Sequence, residues 1–411
     1  MVLGPSQSGK TTGLAIPAIL EWDGPVVATS VKADLVRDTL LARSRRGPTW
    51  VYDATGATGV TPARWSPLLG AANWRGARRT SAWLCGAARA APGGGEEDFW
   101  YAAAGKLLAP YLLAAARGGR DLGTVVRWVD AQEEDEVADI LVGAGETEAL
   151  GAARASWQRD GRTRSSVFTT AEMVLEAFAD PVVVGSADGS DVDPGRLVSG
   201  DPPVTLYVCA PGHEQERLRP VFATLLQSVI AAAYETAHRR GPLEPPLLLV
   251  LDEAANIAPL RDLDAIAATA AGHGIQLVTV WQDLAQLRAR YGERAATVVN
   301  NHRAKVVLSG ISDPATLEYT SRLIGDGQIA DDSVTTDRHG GRTTTRTRRD
   351  RPLAPDAELR RIHPGEGVLV YGHLRPTRIR LRPWYDAVGR QAVWRRPQGT
   401  KGERDQTSNS R

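Results

Sequence analysis

Gly4-Pro5-Ser6-Gln7-Ser8-Gly9-Lys10-Thr11 is a complete phosphate-binding loop of the form G-x-x-x-x-G-K-[ST], followed by a second threonine, Thr12. Met1-Val2-Leu3 before it is the stub of an apolar strand, and Leu14-Ala15-Ile16 after it opens a helical pattern. Gly4 and Gly9 allow backbone angles that a side chain would block, so successive N–H groups can face one phosphate across the arc of Pro5, Ser6, Gln7 and Ser8. Lys10 reaches the β- and γ-phosphates, the Thr11 hydroxyl is a ligand for Mg2+, and the helix turns its positive dipole end toward the same anion. The chain prefers arginine and has only five lysines, so a lysine here is not background. A nucleoside triphosphate, ATP with Mg2+, is the expected ligand. The three-residue strand is too short to stand alone, so either a neighbouring strand supports it or upstream residues are missing.

Outward from the loop, short apolar runs alternate with helical patterns, the signature of an α/β protein with a mainly parallel sheet. Strands are expected at Val26–Thr29, Trp50–Tyr52, Val204–Val208, Leu247–Leu251, Ile275–Val280 and Lys305–Leu308. Helices are expected at Arg217–His238, Arg261–Ala271, Asp283–Tyr291 and Pro314–Leu323, with a closing hairpin at Val368–Tyr371 and Arg378–Leu381. Strand signals vanish from about Glu96 to Asp180, where Leu107, Leu108, Tyr111 and Leu112 have core-facing helical spacing beside an acidic run, Glu133 to Glu136. The expected organisation is a discontinuous nucleotide-binding domain, 1–95 and 190–395, an inserted all-α domain, 96–189, and a polar disordered tail, 396–411.

Leu247 to Leu251 lead into Asp252-Glu253. A buried strand ending in two carboxylates is what a hydrolysing phosphate-loop enzyme needs: Asp252 would hold Mg2+ through water, and Glu253 would orient and deprotonate the attacking water. Gln282, at the end of the next strand, is placed to sense the γ-phosphate or to cap the following helix. Asn256 could contact the same region or cap.

The chain can hold two to three domains in its 411 residues, and its formal net charge of +1 excludes a global field for nucleic acid. Cys85 and Cys209 lack metal-ligand or C-x-x-C spacing and read as reduced core thiols. No signal peptide is visible, and the best apolar stretch, Tyr101 to Ala116, is interrupted by Lys106 and Pro110, so no transmembrane segment is expected.

Leu251-Asp252-Glu253-Ala254-Ala255-Asn256-Ile257-Ala258-Pro259-Leu260 resembles the type IV coupling proteins, the TraG/TraD conjugation ATPases. Gly274-Ile275, Trp281 to Leu287, Tyr291-Gly292, Asn300-Asn301, Ser321 to Gly325, Pro364 to Gly367 and Pro383-Trp384-Tyr385 are similar to that family too. So are Trp22 to Val27 and Trp65 to Leu68, while the helical insert matches by position and by Thr163 to Pro181. The resemblance implies a RecA-like P-loop ATPase that forms a hexameric ring at the cytoplasmic face of the inner membrane. It also implies partners: relaxase-bound DNA, the relaxosome and the proteins of a type IV secretion channel, with ATP turnover powering transfer and the all-α domain recognising cargo. Three departures stand out. Ser30-Val31-Lys32-Ala33-Asp34 replaces an Asp-Pro-Lys-Gly-Glu-like segment, His273 stands where arginine is frequent, and the usual transmembrane helices are absent.

A ring ATPase usually needs a neighbour's arginine against the γ-phosphate, and Arg303 and Arg322, near strand or helix ends beyond Gln282, are the candidates. Arg338, Arg342, Arg346, Arg348, Arg349 and Arg351 crowd a loop rich in Thr and Gly. Arg342, Arg346, Arg348 and Arg349 there are candidates for DNA phosphate contacts without base selection, and the alternative is a solvated hairpin tip. Two other functions fit the same motifs: an FtsK-like DNA translocase of chromosome segregation, and an ATP-dependent substrate receptor that does not pump.

Overall fold

The computed structural model describes residues 1–89, 96–255, 260–336 and 342–386. Its main sheet contains β1 (Val2–Leu3), β2 (Val26–Ser30), β3 (Thr49–Tyr52), β4 (Thr205–Cys209), β5 (Leu247–Leu251), β6 (Ile275–Trp281) and β7 (Ala304–Leu308), all parallel. The strands β8 (Asp326–Thr336) and β9 (Arg342–Pro352) form a separate two-stranded sheet. Two last strands, β10 (Glu366–Tyr371) and β11 (Thr377–Arg380), complete the main sheet as an antiparallel edge on β7. Its order is β11-β10-β7-β1-β6-β5-β2-β4-β3. The short β1 is supported on both sides: Val2 stands opposite Val280 and Val306, and Leu3 opposite Trp281 and Val307.

The central strand β5 reads as an unbroken apolar run because both faces of the sheet are covered there. Leu247, Leu249 and Leu251 of β5 join one buried cluster, while Leu248 and Val250 join another on the opposite face. The second cluster takes Ile16, Ile19 and Leu20 from the helix Ile16–Glu21, and Leu35 and Val36 from the helix Asp34–Ser44. The first takes Leu218, Phe222 and Leu226 from the helix Gln215–Arg240, and continues without a break into the helical region.

Among the described residues no strand occurs between Tyr52 and Thr205. The helix Glu96–Arg117 is the axis of this region and buries Leu107, Leu108, Tyr111 and Leu112 completely. Tyr111 stands edge-on to Trp128, Trp157 and Phe168, accepts a hydrogen bond from Trp157 Nε1 at 3.1 Å, and donates to the Glu133 carbonyl at 2.6 Å. The acidic run is matched by arginines: Arg164 meets Glu134 at 2.7 Å, and Arg120 meets Glu136 at 2.7 Å. A further helix, Trp74–Ala88, packs against both Glu96–Arg117 and Gln215–Arg240. Cys85 and Cys209 are free and buried, and burial pushes both thiols up to about 12. No helix of the described residues is long and apolar enough to cross a membrane.

The arginine-rich segment corrects its reading as a loop. Arg342, Arg346, Arg348 and Arg349 lie on β9, opposite Thr336, Asp332, Ala330 and Ile329 of β8. Polarity suggested a loop, but the threonines interleaved at Thr343, Thr344, Thr345 and Thr347 are β-branched and favour the extended backbone. Arg338, Asn256 and the expected tail, 396–411, lie outside the described residues.

Candidate nucleotide site

Three neighbouring strands, β1, β6 and β5, deliver the candidate residues to one edge of the sheet, beyond their carboxyl ends, where ligands of open α/β sheets bind. β1 leads into Gly4, whose N–H donates to the Trp281 carbonyl at 3.1 Å and ties the loop to the end of β6. A Cβ on Gly4 would stand 2.5 Å from Ser8 Oγ, so the turn admits no side chain there. Gly9 has φ +86°, in the left-handed region, and Gln7 at the exposed tip has φ +65°. The Ser6 side is likewise exposed, while Pro5 is half-buried. Ser8 Oγ is buried with no hydrogen-bond partner among the described residues.

Lys10 Nζ donates to the Gly4 carbonyl and, at 2.9 Å, to the Pro5 carbonyl, so the ammonium is held within the loop. Burial lowers its pKa, Asp252 and Glu253 oppose the shift, and Lys32 adds to it. Thr11 Oγ1 donates to Asp252 Oδ2 at 3.0 Å, joining the phosphate loop directly to the end of β5. Asp252 is 5% exposed, and its other oxygen, Oδ1, has no partner among the described residues. Burial raises its carboxyl to about 6; Thr11 and Lys10 pull it down, and Asp34 and Glu253 push it further up. Glu253 follows with φ +53°, a left-handed conformation costly for a side-chain residue. The turn is fixed on the far side by Ala254 N–H, which donates to the Val280 carbonyl at 3.2 Å.

The donor set fits a magnesium–nucleotide pair. Among the described residues no group of three or more His, Cys, Asp and Glu could hold a metal alone. Mg2+, however, is usually held by one or two carboxylates together with substrate phosphates. The hydroxyl of Thr11 and the orphaned Oδ1 of buried Asp252 are the oxygen ligands such an ion takes.

Gln282 directly follows β6, the strand between β1 and β5, and it is exposed. Capping of the helix Leu284–Tyr291 falls to its neighbours: Asp283 accepts from Gln286 N at 2.8 Å, and Gln286 Oε1 accepts from Gln282 N at 3.0 Å. Arg303 does not join this group. It precedes β7, at the opposite edge of the sheet from Thr11, with its guanidinium 5.3 Å from the Tyr371 ring centre. Arg322 is exposed on the helix Pro314–Ile324 and bridges to Glu318 at 2.5 Å, an i,i+4 surface pair.

Two features escaped the sequence reading. Asp34 lies close enough to Asp252 to raise its pKa, and its carboxylate accepts from Ser30 Oγ at 3.2 Å and from Leu35 N at 2.9 Å. The second is a strap formed by Leu381 to Trp384. Leu381 packs so closely that a Cβ on Gly13 would meet its own Cβ at 2.9 Å. Residues Thr11–Ala15 form a π-turn in which Ile16 N–H bonds to the Thr11 carbonyl. The next donor in that register is Pro17, which has no N–H. Trp384 N–H supplies the missing bond to the Thr12 carbonyl at 3.1 Å.

The profile described as "Type IV secretory system Conjugative DNA transfer" matches residues 1–408. Conjugal transfer protein TraG of Escherichia coli is 27% identical over 372 residues, which cover 84% of this chain and 57% of TraG. The chain thus spans little more than half the length of that relative. The bacterial conjugative coupling protein TrwBdeltaN70, in an unbound form, superposes with a TM-score of 0.71 at 19% identity, covering 93% of this chain and 84% of that one. TrwB in complex with ADP and Mg2+ gives a TM-score of 0.62 at 19% identity, over 89% and 86% of the two chains. At these identities the likeness to TrwB is one of fold, the RecA-like P-loop fold. With the profile covering nearly every residue, the chain belongs to the type IV secretory system conjugative DNA transfer family.

Proposed function

We propose that this chain is the ATP-hydrolysing, DNA-translocating part of a conjugative coupling protein, which recruits relaxase-bound DNA and drives it into a type IV secretion channel. The hydrogen bond between Thr11 and Asp252, with Glu253 next in the chain, carries the reading. It joins a phosphate loop to two carboxylates of different surroundings, as hydrolysis requires and simple nucleotide storage does not. The names of the relatives, a conjugal transfer protein and a coupling protein crystallised with ADP and Mg2+, support the same conclusion.

In this reading Pro5 shapes the loop, the N–H groups from Ser6 to Thr12 and the Lys10 ammonium hold the phosphates, and Thr11 and, through water, Asp252 hold Mg2+. When bound, MgATP supplies an activated γ-phosphoryl group and a divalent charge. Glu253 orients the attacking water and takes its proton. Gln282, between the two motifs, senses the γ-phosphate. The active form is a homo-oligomeric ring, a hexamer, at the cytoplasmic face of the inner membrane. Arg303, remote from its own Thr11, is the first candidate to serve a neighbour's site, and Arg322 the second. The all-α segment, 96–189, recognises cargo, and DNA contacts are mainly to phosphate.

The test is ATPase activity with and without single- and double-stranded DNA, for the parent and for Lys10→Ala. DNA-stimulated turnover that Lys10→Ala abolishes is expected. Turnover indifferent to DNA would favour a receptor over a motor, and turnover unchanged in Lys10→Ala would remove the nucleotide site itself.

A further inference from the structure

A cleft opens beside the packed helices Trp74–Ala88 and Glu96–Arg117, toward Arg261 and Arg294. It consists of two adjoining chambers of about 540 and 570 Å3 that share Ala82, Gly86 and Arg261. Its lining includes the small residues Ala82, Gly86, Ala102 and Gly105, and the Arg261 side chain lies over Gly86. Its walls are cationic: Arg78, Arg89, Lys106, Arg261, Arg290 and Arg294 face Asp98 and Asp262. Arg89 is engaged with Asp98, and Arg294 with Asp264 at 3.3 Å. Arg78, Lys106 and Arg261 are exposed and have no ion-pair partner among the described residues.

A further observation points to the ligand. The half-buried rings of Trp74 and Tyr101 line the chamber that holds Arg78 and Lys106, and the Arg78 guanidinium lies 6.0 Å from the Trp74 ring centre. Rings set among cations are the equipment of single-strand binding, in which bases stack while phosphates meet charge.

We propose that this cleft binds single-stranded DNA, with phosphates on Arg78, Lys106 and Arg261 and unpaired bases against Trp74 and Tyr101. The proposal rests on the DNA-motor reading and deepens it. The cleft is separate from both the nucleotide loop and the β8–β9 hairpin. Chambers of this size admit extended, unpaired nucleotides and not a duplex.

The experiment measures anisotropy of a labelled oligo-dT, of a duplex of equal length and of an acidic polyglutamate peptide, across a salt series. Arg78→Gln/Lys106→Gln/Arg261→Gln removes exposed charges that no ion pair needs, so the fold is expected to persist. Three lost phosphate contacts should flatten the log–log salt slope for oligo-dT by about 2, from roughly 0.7 per contact. Trp74→Ala should weaken oligo-dT about tenfold without changing that slope, since a stacked base contributes about 1–3 kcal/mol. Trp74→Phe should restore most of the loss, which a merely structural tryptophan would not require. Duplex and MgATP binding should move little. An unchanged oligo-dT slope in the triple variant overturns the proposal. Equal losses for polyglutamate and oligo-dT, with Trp74→Ala silent, would make the cleft a site for acidic peptide instead. A parent chain that binds neither oligonucleotide removes the DNA reading, and the cleft proposal with it.

Discussion

Asp252→Asn should stabilise the chain relative to its parent as pH rises, although it disables the metal site. The parent carboxyl is raised from 3.8 to about 6, chiefly by burial. A neutral Asp252 is therefore favoured in the folded state, which binds more protons than the unfolded chain between those values. The parent loses stability as pH rises from about 4 to about 6, and above that the loss is constant. Some two units at about 1.4 kcal/mol each amount to about 3 kcal/mol. With an unfolding entropy of about 2.1 cal/mol/K per residue, 411 residues turn this into about 3 °C in Tm. The amide also leaves a polar group at the orphaned Oδ1 position, but that cost does not vary with pH. The quantity to measure is thus the difference in Tm between Asp252→Asn and parent, by scanning calorimetry without nucleotide, at several pH values from 4 to 7. It should grow in favour of the variant by about 3 °C over that range. A difference that stays constant would mean that Asp252 is not held near neutrality by its surroundings, and the electrostatic argument for the site would fail. Adding ADP and Mg2+ should then raise the parent Tm, less so below pH 6, and leave the variant without the Mg2+-dependent part.

Glu253→Gln should bind MgATP and turn it over very slowly, because the amide keeps the shape but cannot take a proton; parental turnover would exclude Glu253 as the base. Glu253→Gly should also be inactive, yet its Tm should not fall below the parent's, since a left-handed side-chain residue costs roughly 1–2 kcal/mol that glycine avoids. A clear drop in Tm would mean that contacts of the Glu253 side chain outweigh the strain. Neutralising Arg342, Arg346, Arg348 and Arg349 together should flatten the salt slope of single-strand binding by as much as about 3, equally for all sequences, and leave ATP affinity alone. An unaltered slope would leave β9 as a solvated strand.

The geometry of the candidate nucleotide site is legible from local sequence because backbone and side chain of one short segment carry it. Gly4 to Thr11 form the loop that their spacing implies, and five apolar residues before Asp252 suffice to place a carboxylate at a strand end. Neighbourhood is what local sequence lacks. Nothing in Met1 to Leu3 says that the strand lies between β6 and β7, so the opposite placement of Arg303 emerges only from the parallel register. Asp34 was passed over because its closeness to Asp252 depends on β2 lying beside β5. The strap had one faint signal, Pro17 five residues after Thr12, but its donor is Trp384, at the far end of the described chain. The β8–β9 hairpin was misread because arginine content outweighed the threonines between them.

The place of β1 in the sheet also governs when the site can come into being. Val2 and Leu3 are synthesised about 280 to 300 residues ahead of their two partners, Val280–Trp281 and Val306–Val307. Until then the phosphate loop has no strand on either side to hold it, and contacts closed over such a separation in sequence are slow to form. The helical segment, built on nearer contacts, has everything it needs long before. A nascent chain therefore can build the helical segment first, and frames the candidate phosphate loop only after β7 has joined the sheet.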